Sequence, residues 1–153
     1  FDQSGTRLAE KQAGRLLLHG PVSIVVDAFD RNDLNPSRRR LGLYSLGYQV
    51  LKPDGTPAPG FEQPHINLMF NRLPAERDAT KIAYAEASGI TVYGSATTRF
   101  LYYVTNTVRD GRAANGVWDT AQLPTGDYIL RIIAADYSGN EAHDNRDVLV
   151  TVR

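Results

Sequence analysis

The segment Thr125-Gly126-Asp127-Tyr128-Ile129-Leu130-Arg131-Ile132-Ile133-Ala134-Ala135-Asp136-Tyr137-Ser138-Gly139-Asn140-Glu141 reads as a turn, a strand of about ten residues and a second turn. Tyr128, Leu130, Ile132 and Ala134 recur with period 2, the pattern of a strand whose one face lies on a core. Glycines stand at both ends, and Ser138-Gly139-Asn140 has the turn chemistry to reverse the chain, since Asn tolerates left-handed geometry.

The same alternation spreads outward. Leu16-Leu17-Leu18 makes a short strand halted by Gly20-Pro21. Val22 to Phe29 sets Val22, Ile24, Val26 and Ala28 on one face with Val25 and Phe29 on the other, which reads as a central strand. Tyr44, Leu46, Tyr48 and Val50 share a face, as do Ile66, Leu68 and Phe70. Phe100, Tyr102 and Val104 alternate against Leu101 and Tyr103, and Val148, Val150 and Val152 form a last strand. Lys52-Pro53-Asp54-Gly55-Thr56 signals a turn, because proline presets its first dihedral and Asp-Gly admits positive φ. Residues 74–97 fit either a short helix or extended chain. The expected fold is an all-β, immunoglobulin-like antiparallel β-sandwich of about seven to nine strands, with long loops at 53–64 and 72–97 and at most one short helix. Residues 1–14 read as a linker or N-terminal arm and residues 15–153 as the sandwich domain.

At 153 residues the chain suits one domain. Its 17 basic and 17 acidic residues cancel, which argues against nucleic acid as a partner. No apolar run approaches the roughly 20 residues of a membrane span, so membrane insertion is not expected. With no cysteine there is no disulfide, thiolate zinc site or cysteine nucleophile. Phe1 is not an initiator residue, so a processed product or excised domain is expected.

The Gly126–Asn140 hairpin resembles the penultimate strand of immunoglobulin-like or fibronectin-like domains of bacterial secreted proteins, and also immunoglobulin-like inserts of flagellar hook-capping proteins. Taken with Gly20-Pro21-Val22-Ser23-Ile24-Val25-Val26-Asp27-Ala28-Phe29-Asp30, Leu43-Tyr44-Ser45-Leu46, Lys52-Pro53-Asp54-Gly55 and Phe100-Leu101-Tyr102, it resembles the accessory sandwich domain of lysostaphin-type zinc metallopeptidases, which cut peptidoglycan cross-links. The resemblance spans about residues 14–153 and implies an extracytoplasmic, non-catalytic accessory or spacer domain beside a catalytic neighbour. That neighbour, peptidoglycan and polysaccharide are the implied partners. The family's zinc pattern is His-x-x-x-Asp with a later His-x-His. His143 and Asp147 have the first spacing, but Asn145 stands where glycine is usual, only six residues follow Asp147, and no His-x-His occurs. A zinc site, on this reading, belongs to another domain.

Other constellations are weighed residue by residue. Asp27, Asp30, Asp136 and Asn140 could meet at one pole and offer hard oxygens to calcium; turn and strand-end caps are the plainer reading. Tyr93, Tyr103 and Trp118 could stack on a sugar, with Arg39 of the Arg38-Arg39-Arg40 run meeting an anionic partner. Against that, Trp118 fits a sandwich core and the arginines a solvated edge. The alternative function is therefore a carbohydrate- or protein-binding module acting through loops and exposed aromatics. No Gly-x-Ser-x-Gly elbow, phosphate loop or specifiable carboxylate pair supports an enzyme, and no cofactor beyond possible calcium is implied.

Overall fold

The computed structural model describes residues 1–2, 5–31, 40–90 and 99–153. In chain order the strands are β1 (Lys11–Gln12), β2 (Arg15–Leu18), β3 (Pro21–Val22), β4 (Val25–Asp27), β5 (Asp30–Arg31), β6 (Arg40–Leu41), β7 (Ser45–Leu51) and β8 (His65–Met69). Helix α1 (Ala79–Ala83) and a 3-10 turn at Glu86–Ser88 follow. Then come β9 (Leu101–Tyr103), β10 (Thr107–Arg109), β11 (Arg112–Ala114), β12 (Trp118–Asp119), a 3-10 turn at Thr120–Gln122, β13 (Gly126–Ala135) and β14 (Asp147–Val152). Among the described residues the protein is all-β with one small helix, as expected. No helix among the described residues is long and apolar enough to cross a membrane.

Among the described residues one eight-stranded sheet runs β1-β2-β14-β13-β7-β8-β10-β11, beside three two-stranded pairs, β12-β3, β4-β9 and β5-β6. The large sheet is mixed rather than wholly antiparallel, because β14 meets β2 and β10 meets β8 in parallel. Short pairs carry the strand total beyond the seven to nine expected. At its centre β7, β13 and β14 have the order and antiparallel sense of the C, F and G strands of immunoglobulin-type sandwiches. The Tyr128 hydroxyl donates back to Pro124 O at 2.9 Å, the arrangement of a tyrosine corner.

Period-2 alternation decides which face of the sheet is buried. Tyr128, Leu130 and Ala134 of β13 lie in register with Val150, Val148, Val50 and Leu46, so their side chains share one surface. Val22, Ile24, Tyr102, Val104 and Trp118 of the opposite layer belong to the same core cluster. Burying such aliphatic side chains stabilises by roughly 1.5–3 kcal/mol each before the opposing chain entropy. The expected central strand from Val22 to Phe29 is corrected: it breaks after Val22, and both pieces pair within the second layer, β3 with β12 and β4 with β9. Ser23 N–H turns to Phe1 O, and Ile24 O accepts from Val104 N–H, so the ladder cannot run through. The arm is docked as well: β1 pairs with β2, and Leu8 packs against the core.

Arg131 and Asp147 face each other across β13 and β14 on the solvent side, joined by two bonds of 2.8 and 2.7 Å. The guanidinium holds the Asp147 carboxyl below the usual aspartate range. A carboxyl depressed in the fold stabilises above its unfolded value of about 3.9, and that stability is lost as pH falls through the lower folded value. Asp147→Asn is expected to cost about 0.5–1 kcal/mol at pH 7, the range of a well-formed surface pair, and almost nothing well below pH 4. Urea titrations of both proteins at several pH values measure the difference; a gap that persists at low pH would count against the ion pair.

Candidate functional site

The pole where β13 ends gathers most of the polar residues singled out from the sequence. Tyr44 N–H donates to Ala135 O and Leu43 N–H to the Tyr102 hydroxyl, which brings the β6–β7 corner beside Asp136. Asp30 pairs with Leu41 on the approach to that corner. Asp27 closes β4 opposite Leu101. The two carboxylate groups therefore occupy one end of the sandwich.

They do not converge on a common point. Asp27 accepts from Arg99 at 2.8 Å. Asp136 accepts from Asn140 N–H at 2.9 Å and from its side-chain amide at 2.7 Å, and these bonds lower its pKa. Gly139, at φ 86°, donates to Asp136 O and completes the turn. Among the described residues no group of three or more His, Asp or Glu side chains could hold a metal ion. The plainer reading describes Asp136 and Asn140, a turn cap, while Asp27 is held in an ion pair. Within that turn the left-handed residue is Gly139 and not Asn140.

The imidazoles lie far apart. Leu18, just before His19, sits in register with Val152 and so with Gly126 at the start of β13. Ala142 N–H binds Ala134 O near that strand's other end, beside His143. Eight strand residues separate the two positions, roughly 25 Å. His65 stacks on Phe61 at 4.6 Å, with Nε2 3.0 Å from Gly60 O. His19 is therefore out of reach of His143, and Asp147 is held by Arg131.

Of the four ligand-binding candidates, Tyr93 and Arg39 lie outside the described residues. Trp118 is only 2% exposed, with its ring near Tyr48 and Phe61, so it offers no platform to a sugar arriving from solvent. Burial pushes the neighbouring Tyr48 phenol up to about 12. Tyr103 is half-buried and borders a cleft of about 510 Å³ with Lys81, Asn106, Asn115 and Val117. Asn106 shapes this wall: its amide donates to Ile82 O at 2.8 Å and its oxygen accepts from Gly116 N–H at 2.8 Å. Val117, 52% exposed, gives the cleft an apolar shoulder. An aromatic face beside amide-bearing walls can stack on and hydrogen-bond a neutral polar ligand. The sequence carried no sign of Asn106, since its importance comes from contacts with residues 82 and 116.

No family model, curated protein or solved structure matches this chain.

Proposed function

We propose that this chain is a non-catalytic, immunoglobulin-like accessory or spacer domain of an exported bacterial protein, a cell-wall zinc metallopeptidase whose catalytic domain is a separate unit. The observation that supports this reading most is the engagement of the chemistry-bearing groups in the scaffold. Asp27, Asp136 and Asp147 cap turns or pair with arginines, and His19 and His143 lie toward opposite ends of β13. A continuous core beneath an eight-stranded sheet suits a stiff body that orients a neighbour. Purified protein is expected to contain no stoichiometric zinc or calcium and to release no fragments from cross-linked peptidoglycan. Stoichiometric zinc, or fragment release that a chelator abolishes, would overturn the reading.

The Tyr103 cleft favours a second reading, a glycan- or protein-binding module. Isothermal titration with peptidoglycan fragments and soluble polysaccharides separates the two. A pure spacer gives no binding heat, whereas a module gives saturable heat that Tyr103→Ala removes.

A further inference from the structure

A second cavity meets that cleft at Ser23 and lies between the N-terminal arm and the open edge of the two layers. Its volume is about 640 Å³, within the usual range of small-molecule sites. Leu8, Leu16, Val22, Val148 and Val150 supply apolar walls, and Trp118 lines it as well. Val148 shares the core-facing side of the sheet with Leu130, yet it is 41% exposed. The layers therefore part here, leaving core-type surface open. Trp118 also buries its indole Nε1–H with no hydrogen-bond partner among the described residues. Buried donors in folded proteins almost always have an acceptor, from protein, solvent or ligand.

Charge at the cavity is one-sided. Arg7 and Lys11 also border it, both exposed. Asp147, the acid at its rim, turns to the solvent side of the sheet, where Arg131 already holds it through two bonds. An apolar chamber bordered by two cations and a neutralised carboxylate selects an anionic amphiphile over a neutral or cationic one.

We infer that this cavity binds a medium-chain aliphatic carboxylate, its chain between the layers and its carboxylate at Arg7 and Lys11. One water carried in with the guest, whose own oxygens are held at Arg7 and Lys11, gives the Trp118 N–H its acceptor. Trp118 is the sole tryptophan, so its emission and its single indole N–H resonance are assigned to one residue that lines this cavity.

The test titrates the whole chain with decanoate and decyltrimethylammonium below their micelle concentrations and with 1-decanol below its solubility limit. Decanoate is expected to shift both Trp118 signals saturably and to bind about tenfold more tightly than decanol, with the ammonium weakest. Arg7→Ala/Lys11→Ala, at exposed positions, is expected to weaken decanoate about tenfold while leaving decanol within about twofold. Val148→Phe, which fills the open edge, is expected to abolish binding of all three. Absence of a saturable change with decanoate overturns the proposal. So does equal affinity for decanoate and decanol, or unaltered decanoate binding in the arginine–lysine variant, whether or not Val148→Phe folds.

Discussion

Gly47→Ala is expected to destabilise the protein by about 3 kcal/mol or more, at or above the top of the usual overpacking range. A methyl at Gly47 would sit 2.1 Å from His65 O and 2.8 Å from both His65 C and Ile66 Cα. All three are backbone atoms, so no rotamer change relieves the clash. The close approach arises where β8 carries an extra residue: Leu46 pairs with Leu68, but Tyr48 pairs with His65. Gly47 lies against that irregularity while its other side pairs with Ile133 of β13. Moving β8 away would open the sheet beside its centre. Gly55→Ala provides the contrast, because Gly55 has φ 84° and open space where a Cβ would stand. It is expected to cost about 1–2 kcal/mol from left-handed geometry alone. Urea midpoints of the two variants decide the matter. A Gly47→Ala protein within 1 kcal/mol of wild type would show that the bulge adapts, contrary to this account.

The core was legible in the sequence wherever one side of a strand faces solvent. Tyr128, Leu130 and Ala134 alternate with more polar or exposed neighbours, and they are buried. The turn at Lys52–Thr56 was equally plain: Gly55 takes positive φ, and Asp54 accepts from both the N–H and the hydroxyl of Thr56. The run from Val22 to Phe29 misled because apolar alternation passes unbroken through its break. What interrupts it are partners remote in sequence, Phe1 and Val104. Gly47 itself was a readable sign, since glycine inside a strand marks a bulge or close backbone contact. The carboxylate pole was visible as a group of residues, but the partners were not. Which acid meets Arg99, Asn140 or Arg131 depends on pairing across 72, 4 and 16 residues. The cavity was illegible for the same reason, being walled by an arm and by strands of both layers.

Tyr102 joins those layers, and its replacement is expected to have the other largest effect. Its side chain is fully buried, with the Tyr84 ring at 5.1 Å and the Phe70 and Phe100 rings at 6.0 and 6.1 Å. Its hydroxyl accepts from Leu43 N–H at 2.9 Å, tying β9 of the second layer to the chain entering β7. Tyr102→Ala removes both functions and is expected to cost about 3–5 kcal/mol, as for other buried aromatic truncations. Tyr102→Phe keeps the ring but leaves Leu43 N–H without its acceptor, for an expected loss of about 1–3 kcal/mol. Burial raises the Tyr102 phenol above its ordinary range. An acid raised in the fold keeps its full contribution below its unfolded value near 10 and loses it as pH climbs toward the folded one. Wild-type stability should therefore fall above about pH 10, and Tyr102→Phe should flatten part of that decline, with buried Tyr48 sustaining the remainder. Denaturation series from pH 7 to 11 measure both effects. If Tyr102→Phe matches wild type throughout, the hydroxyl is not what fastens the second layer to β7, and the ring packing alone must hold it.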